Sequence, residues 1–336
     1  MDLIHADETL AEIGYIKEID AFDAELSQET SATIDDNTFS LTLADTVWET
    51  DPVEIEHYIY VPGTEWGGQV EQIRHSTALK QIAVSGVTWR GQLFRKVILP
   101  ADESPYFEIT ATEANTAIGY IVGSSLGSMF AVSTADSGIT ITSKAFRYTN
   151  MLLGIEDMLA EEGAALQITF DQATKLVTLS ARPIVDYSAT VDLSQDYGVD
   201  MITTLGGFDR YNHIIALGAG ELLERDIVHV YRNADGTMTT TAPDWAGTDA
   251  DHMTIYDYSN PETTAILQHG AELRALEYAP YNMAEMDPQV DGLTLLLGDI
   301  VGARDRLTGL AATVTIVGKI LTMNSASGIE LETRAK

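Results

Sequence analysis

Short runs that alternate between hydrophobic and polar residues dominate the first hundred positions. They cover residues 31–44, 57–63, 68–75 and 80–100. Alternation with a period of two is typical of half-buried strands, and several short strands at close spacing favour a β-barrel or a sandwich. Within 68–75, Val70 and Ile73 fall on opposite phases, which predicts a bulge or a strand end. The stretch 80–100 is expected to hold two strands, around Gly86 and Gly91.

A helical period replaces this alternation in the middle of the chain. Residues 112–127 begin with capping residues and end at a glycine, as helices often do. Residues 149–163 carry one apolar face at a spacing of 3.6 residues, and Gly163 stands where such a helix would end. That face consists of Met151, Leu152, Ile155, Met158 and Leu159. Residues 165–185 then predict a β-hairpin that turns at 171–174.

The β pattern returns after about residue 190. Residues 210–241 predict two strands and a turn at Asp235 and Gly236, and residues 293–334 predict three strands. Between them, residues 260–279 predict a helix that Asn260 caps and that has Pro261 in its first turn. The order is therefore β, then α/β, then β with a helical insert.

Charge narrows the possible partners. The chain has 336 residues, which favours two or three domains, and its 19 Lys and Arg against 51 Asp and Glu give a formal net charge of −32. Such a surface repels nucleic acid, because nucleic-acid binding depends on Lys and Arg contacts to phosphate. It also repels anionic membranes. Solubility, adaptation to high salt and repulsion of a passing polyanion all remain possible reasons for the acidity.

There is no cysteine, which excludes disulfides and thiolate metal sites.

No catalytic residue, cofactor site or metal site can be assigned from the sequence. The segment LGAGEL at 217–222 lacks the third glycine of a dinucleotide-binding motif, because Leu223 occupies that position, and a turn between strands is expected there. None of the 7 histidines forms a tight metal-binding motif. His213 and His229 could meet across neighbouring strands, as partly buried structural residues. The acidic turns NADGT and TDADH lack the ligand spacing of an EF-hand, so solvated turns are expected.

Five motifs occur in an order that is informative as a set. An acidic–aromatic–Gly–Gly run is followed by a Trp-Arg-Gly run that ends in a proline; these residues are Glu65, Trp66, Gly67, Gly68, Trp89, Arg90, Gly91 and Pro100. Residues 37–43 form an Asn-x-Phe strand. In residues 210–222 an asparagine precedes an apolar run and Gly-x-Gly-Glu, and residues 295–305 contain Leu-Gly-Asp-x-Val; the key positions are Asn212, Gly218, Gly220, Gly298 and Asp299. Together these motifs resemble the tail hub proteins of tailed phages, including the N-terminal hub of siphovirus tail-associated lysins.

The resemblance implies a mainly β fold with an α/β insertion. It would comprise two tail-tube-like β-barrels, a small α/β domain and a helical insert. The expected domains are a first barrel at 1–108, an α/β domain at 109–189, and a second barrel at 190–336 with the insert near 242–287. The motif residues would then be structural: Gly67 and Gly68 form a tight turn into a strand, where a side chain would obstruct the backbone, and Trp66 and Trp89 are packing anchors.

The resemblance also implies a structural role at the tail tip or baseplate of a virion assembled in the host cytoplasm. There the hub would close the tail tube, adapt six-fold to three-fold symmetry as a homotrimer, and let DNA pass. Expected partners are a distal tail protein or tail-tube ring, the tape-measure protein, and tail-tip or fibre proteins, without membrane binding by the hub itself. DNA would be present only in transit through the bore.

Two other functions remain open at this stage: a truncated tail-associated lysin that hydrolyses cell wall, and a receptor-binding tail-tip protein. The family members that digest cell wall carry further C-terminal domains, so lytic activity is not expected of this chain. A bore that carries DNA is expected to present more acidic than basic residues, because cations would grip phosphate. A bore lined by basic residues would contradict this expectation; the residues in question are Arg90, Arg95, Lys96, Arg304 and Arg306.

Overall fold

The computed structural model describes most of the chain and divides it into two compact units. The described residues are 2–28, 34–100, 104–190, 192–194, 201–206, 211–258, 263–278, 281–286, 294–325 and 328–335. The first unit comprises Met1–Ile202 with Ala284–Lys336, and the second comprises Thr203–Met283. The expected division at 108 and 189 remains a prediction.

Strands outnumber helices throughout the described residues. The N-terminal third contains β1 Ile4–Ala6, β2 Glu12–Tyr15, β3 Ile19–Ser27, β4 Thr38–Ala44, α1 Asp45–Trp48, β5 Tyr58–Tyr60, β6 Gly67–Ser76, β7 Gln81–Thr88, α2 Trp89–Phe94 and β8 Val97–Ile98. The middle contains β9 Phe107–Glu113, α3 Ala114–Val122, β10 Phe130–Val132, β11 Thr140–Phe146, β12 Thr149–Asn150, α4 Met151–Glu161, β13 Ala164–Asp171 and β14 Leu176–Pro183. The remainder contains β15 Asp192–Ser194, β16 Met201–Gly206, β17 His213–Leu217, β18 Ile227–Arg232, β19 Met238–Thr239, β20 Met253–Asp257, α5 Thr264–Glu277, β21 Tyr281–Met286, β22 Ile300–Arg304, β23 Ala311–Asn324 and β24 Gly328–Ala335.

One large sheet organises the first unit. Its hydrogen-bonded order runs β24-β23-β3-β4-β7-β6-β5-β1-β2, so strands from both ends of the chain lie side by side. Strand β3 shows why this sheet forms: Phe22, Ala24 and Leu26 are buried, while Asp23 and Glu25 between them are only half-buried. Burial of a side chain such as Phe22 contributes roughly 1.5–3 kcal/mol. The alternation therefore gives the sheet one apolar core face and one polar face.

Strand β6 carries the bulge that the phases of Val70 and Ile73 predict. Its pairing with β7 is regular on either side but shifts register between Val70 and Gln72. One extra residue on β6 therefore opposes β7, which bends the strand and moves its side chains to the other face.

The segment around Gly91 is helical, so the prediction of a second strand in 80–100 is wrong there. The Thr88 side chain caps α2 by accepting a hydrogen bond from the Gly91 amide, and its hydroxyl donates to the Asn37 carbonyl at 2.9 Å. Trp89 and Leu93 on this helix are fully buried. A side-chain cap and two buried anchors stabilise a single helical turn that composition alone does not indicate.

Both predicted helices of the middle region are confirmed. Helix α3 is capped by the Glu113 carboxylate and ends at Gly123, where φ is +47°, rather than at Gly127 as expected. Helix α4 buries the whole predicted apolar face, and Gly163 follows it with φ of +67°. The predicted hairpin is β13–β14, which β10 extends to three strands. This region shares its core with residues of the first hundred positions, among them Tyr60 and Trp89, so it does not pack independently.

The second unit is a small sheet covered by one helix. The strand order is β19-β18-β17-β20, and α5 packs on one face through Leu267, Ala271 and Ala275. Helix α5 begins later than predicted, because the Thr263 side chain caps it by accepting from the Ile266 amide. The expected cap, Asn260, lies outside the described residues together with Pro261.

The fold class predicted from the sequence is confirmed: the chain is mainly β with an α/β insertion and a helical insert. The two tube-like barrels remain a prediction. Strands β3 and β23, which were assigned to different barrels, pair in one sheet over 318–324 and 21–27.

Candidate functional site

The Glu-Trp-Gly-Gly motif at 65–68 and the Trp-Arg-Gly motif at 89–91 meet at the buried guanidinium of Arg90. Its Nε donates to the Glu65 carboxylate, its Nη1 donates to the Glu156 carboxylate, and its Nη2 donates to the Leu166 carbonyl at 3.0 Å. The Arg90 side chain is 1% exposed, Glu65 17% and Glu156 10%. One side chain of α2 thus joins the turn before β6, helix α4 and strand β13. Glu156 was not among the residues selected from the sequence, since it lies between the apolar positions of α4.

Burial controls the protonation of this cluster. Desolvation raises the pKa of Glu156 to about 8, with the Glu65 charge adding to the effect and Arg90 opposing it. Desolvation also raises the pKa of Glu65, against the opposing charge of Arg90. For Arg90, burial would lower the pKa, but the two adjacent carboxylates outweigh it and raise the pKa. At neutral pH, Arg90 is therefore charged and Glu156 is largely protonated.

The two motif tryptophans lie in two different cores. Trp66 is 7% exposed and packs in the core of the large sheet, whereas Trp89 is fully buried in the core shared with the middle region. Trp89 stacks on Tyr58, with ring centroids 5.8 Å apart, and on Phe170 at 5.4 Å. These contacts make Trp89 a packing anchor of that core.

The motif glycines permit close approach of neighbouring backbones. Gly67 and Gly68 are the first residues of β6 rather than the turn before it. A Cβ on Gly68 would lie 1.8 Å from the Val87 carbonyl oxygen, and one on Gly67 would lie 2.4 Å from the Cβ of Tyr60. A Cβ on Gly91 would lie 2.5 Å from a carbonyl oxygen of the turn before β4. A side chain at these positions would push the strands apart, so the Gly-Gly pair is a packing requirement and not a ligand loop.

Gly298 and Asp299 form a buried anchor next to β22. Gly298 has φ of +89°, and a Cβ there would lie 2.7 Å from the Cβ of Ala165. Asp299 is 1% exposed and accepts hydrogen bonds from Arg182 Nη1 at 2.8 Å and from the Val185 amide at 3.2 Å. The Leu-Gly-Asp motif thus ties the end of β14 to the large sheet.

The remaining motif residues shape the second unit. Asn212 donates to the Ala250 carbonyl and accepts from the His252 amide, each at 2.9 Å, which joins the starts of β17 and β20. Gly218 and Gly220 lie in the turn between antiparallel β17 and β18, where Gly220 has φ of +94°. This is the turn that the sequence predicts in place of a nucleotide-binding loop.

Two histidine pairs occur in the described residues. His213 and His229 meet across β17 and β18, which the sequence left as a possibility: His213 Nε2 lies 2.8 Å from His229 Nδ1, and its Nδ1 lies 2.9 Å from Asp251 Oδ1. Sequence analysis missed the second pair, in which His5 Nε2 lies 2.8 Å from His57 Nδ1. The structure shows no cluster of three or more His, Asp or Glu arranged for a metal ion in the part of the chain that it describes. Within the same residues, no helix is long and apolar enough to cross a membrane.

The polar face of the large sheet forms a shallow groove of about 620 Å³ across β3, β4, β7 and β6. Short polar side chains, Ser40 and Ser85, lie opposite each other in its centre, with Asp23 beside Ser40 on β3. The cations at its margins are paired: Arg95 bonds to Glu71, and Arg334 Nη1 donates to Glu25 at 2.7 Å. Arg90 is buried and does not reach this face, whereas Arg304 and Arg306 are exposed at one end of β22.

The fold is shared with tail proteins of bacteriophages. The 43 kDa tail protein of prophage MuSo2 from Shewanella oneidensis has a TM-score of 0.59 at 13% identity, covering 100% of this chain and 98% of that chain. The prophage tail protein gp18 from Listeria monocytogenes EGD-e has a TM-score of 0.55 at 14% identity, covering 100% and 94%. A chain of the phage P2 baseplate in its activated conformation has a TM-score of 0.52 at 11% identity, covering 99% and 98%. No protein-family profile and no curated protein matches the sequence.

These similarities span the whole chain and almost the whole of each compared protein. The resemblance drawn from the motifs is therefore confirmed at the level of the fold. At 11–14% identity, the fold is what the comparisons establish.

Proposed function

We propose that the chain is a structural protein of a virion tail and forms the tail-tip or baseplate hub. The observation that carries this proposal is the end-to-end fold similarity to phage tail and baseplate proteins. The motif residues support it, because they are committed to buried ion pairs and backbone packing rather than to a reacting centre. The hub closes the tail tube before ejection and opens a path for DNA afterwards.

The assembled hub is proposed to be a homotrimer. Three chains with two tube-like domains each supply six positions, which would match a six-fold tube above and a three-fold tip below. In the described residues β2 pairs only with β1, so the large sheet ends in an open edge there. A closed ring of subunits would cover such edges. The proposed neighbours are the tail-tube ring or distal tail protein, the tape-measure protein, and tip or fibre proteins.

A density map of the intact virion tail tests this proposal. Three copies of the fold in a ring at the tail tip are the expected result. Six copies, one copy, or a position elsewhere in the particle would overturn it. Two solution assays test the other functions: clearing of cell wall in a zymogram by the purified chain would indicate a lysin, and adsorption to host cells would indicate receptor binding.

The groove on the polar sheet face is proposed to line the DNA path. Its arginines are paired with Glu71 and Glu25, and Asp23 forms no ion pair among the described residues, so the face would repel phosphate rather than bind it. The double variant Asp23→Lys, Glu25→Lys should slow DNA ejection from assembled particles. The matched control, Glu221→Lys, Asp249→Lys, makes the same charge change at exposed positions of the second unit and should leave ejection unchanged. Equal effects of the two double variants would contradict an acidic path along this face.

A further inference from the structure

A cavity of about 350 Å³ in the first unit has apolar walls and a cationic end. Its walls include Leu26, Trp66, Ile168 and Leu297, all of which belong to the buried cores. The lining also includes polar side chains such as Thr64, Gln167 and Thr169, so the cavity offers both apolar contacts and hydrogen-bond partners, and its volume is sufficient for a compact organic ligand.

Three cations line this cavity in a chain whose net charge is −32. The side chains of Arg90 and Arg182 are 1% and 12% exposed, and Lys319 is 8% exposed. Glu65 is the carboxylate in the lining. Buried cations are ordinarily compensated by anions, so each of these three requires a partner.

Two of the cations have carboxylate partners and the third does not. Arg90 is bound by Glu65 and Glu156, and Arg182 is bound by Asp299. Lys319 Nζ donates to the Leu295 carbonyl at 2.7 Å, and no carboxylate of the described residues forms an ion pair with it. An ammonium has three donors, so Lys319 retains the capacity to bind an anion.

Burial shifts the pKa values of two ionisable groups in this cluster, Glu156 and Lys319. Burial keeps Glu156 largely protonated at neutral pH because its pKa is raised to about 8. Desolvation lowers the pKa of Lys319, while the charges of Glu65 and Asp299 oppose that effect. An anion bound beside Lys319 would act in the same direction as Glu65 and Asp299 and favour the charged form of the ammonium.

We propose that this cavity binds a small organic carboxylate with an apolar body. The carboxylate accepts hydrogen bonds from the Lys319 ammonium, and the apolar body packs against Trp66 and the leucines of the wall. This proposal does not depend on the proposed role of the chain in a tail.

Ligand-dependent thermal stability tests the site with hexanoate as the probe. Hexanoate should raise the Tm of the full chain in a saturable way, because a ligand that binds the folded state stabilises it. Three controls separate the properties of hexanoate, with ionic strength matched by sodium chloride. Acetate supplies the carboxylate without the apolar chain, 1-hexanol supplies the apolar chain without the charge, and chloride supplies only ionic screening. Each should produce a smaller shift. Equal shifts with hexanoate and chloride would overturn the proposal.

Two variants locate the binding. Lys319→Met removes the ammonium and keeps a long apolar side chain, so it should fold and lose the hexanoate shift. Arg334→Met removes an exposed cation from neighbouring β24 and should keep the shift. Thr294→Phe narrows the cavity at an exposed lining position without a change of charge, and should also abolish the shift. A hexanoate shift that persists in both Lys319→Met and Thr294→Phe would place the binding elsewhere.

Discussion

Arg90 joins helix α2 to three other segments inside the first unit. Its three donor groups reach two carboxylates and a carbonyl that belong to three other segments of the chain. Loss of one partner from a buried ionic cluster leaves the other charges desolvated and unpaired. Arg90 therefore stabilises the relative positions of α2, α4 and β13.

Arg90→Met is expected to destabilise the first unit by about 3–5 kcal/mol, since the buried Glu65 carboxylate loses its cation and both Glu156 and the Leu166 carbonyl lose a hydrogen-bond donor. Urea denaturation monitored by tryptophan fluorescence measures the change. Arg95→Met is the matched control: Arg95 is 42% exposed and pairs with Glu71, so its removal should cost about 0–1 kcal/mol. A cost for Arg90→Met as small as that of the control would contradict the buried ionic cluster.

Glu156 predicts a specific dependence of stability on pH. Its pKa is about 8 in the folded chain and about 4.5 for an exposed glutamate, so between these values the folded state holds a proton that the unfolded state has released. The contribution of Glu156 therefore lowers the free energy of unfolding as pH rises from about 4.5 to 8, by at most about 1.4 kcal/mol per pH unit. The Glu156→Gln variant should lack this contribution, so its stability relative to wild type should rise with pH. Parallel stability curves for the two proteins between pH 5 and 8 would show that Glu156 is ionised throughout.

Single elements show how far the sequence could be read. The alternation in β4 and the apolar face of α4 were sufficient to predict a strand and a helix. Each element buries one face, so the period of burial appears directly in the sequence. Helix α2 was predicted as a strand, because its stability comes from the Thr88 cap and from the burial of Trp89, which is a tertiary effect. Glu65 and Arg90 could be selected as site residues from the sequence, because both lie in motifs that resemble those of phage tail hub proteins. The third member of the ionic cluster, Glu156, could not, since an acidic residue in an amphipathic helix normally faces solvent.

Strand β6 gives a test at the scale of an element. Gly68→Ala places a methyl group 1.8 Å from the Val87 carbonyl oxygen, so β6 and β7 must separate. The expected cost is about 3 kcal/mol or more, because the obstacle is backbone rather than a movable side chain. Gly127→Ala is the control, since a Cβ there has nothing within 4 Å. Thermal unfolding of the two variants provides the comparison, and a Tm for Gly68→Ala equal to that of the control would refute the close approach.

The net charge of −32 dominates the behaviour of the whole molecule in solution. Self-repulsion between exposed carboxylates opposes the compact state, and salt screens it: the Debye length falls from about 10 Å at 0.1 M to about 3 Å at 1 M. The Tm should therefore rise by several degrees between 0.1 and 1 M sodium chloride. Sucrose at equal osmolality provides the control for excluded-solute effects. A Tm that is unchanged or lower in salt would remove both self-repulsion and adaptation to high salt as explanations of the acidity.

The pairing of β3 with β23 has a consequence for how the chain is made. Nearly three hundred residues separate these neighbouring strands, so their contact closes a very long loop and gives the large sheet a high contact order. On the ribosome, β3 and β4 emerge early and have no partner on the β3 side until β23 has been synthesised. The second unit, by contrast, draws its strands and helix from one continuous stretch and can fold as it emerges. The interval before β23 arrives is when the nascent chain exposes an unpaired strand edge, and it is the period in which a chaperone would be most effective.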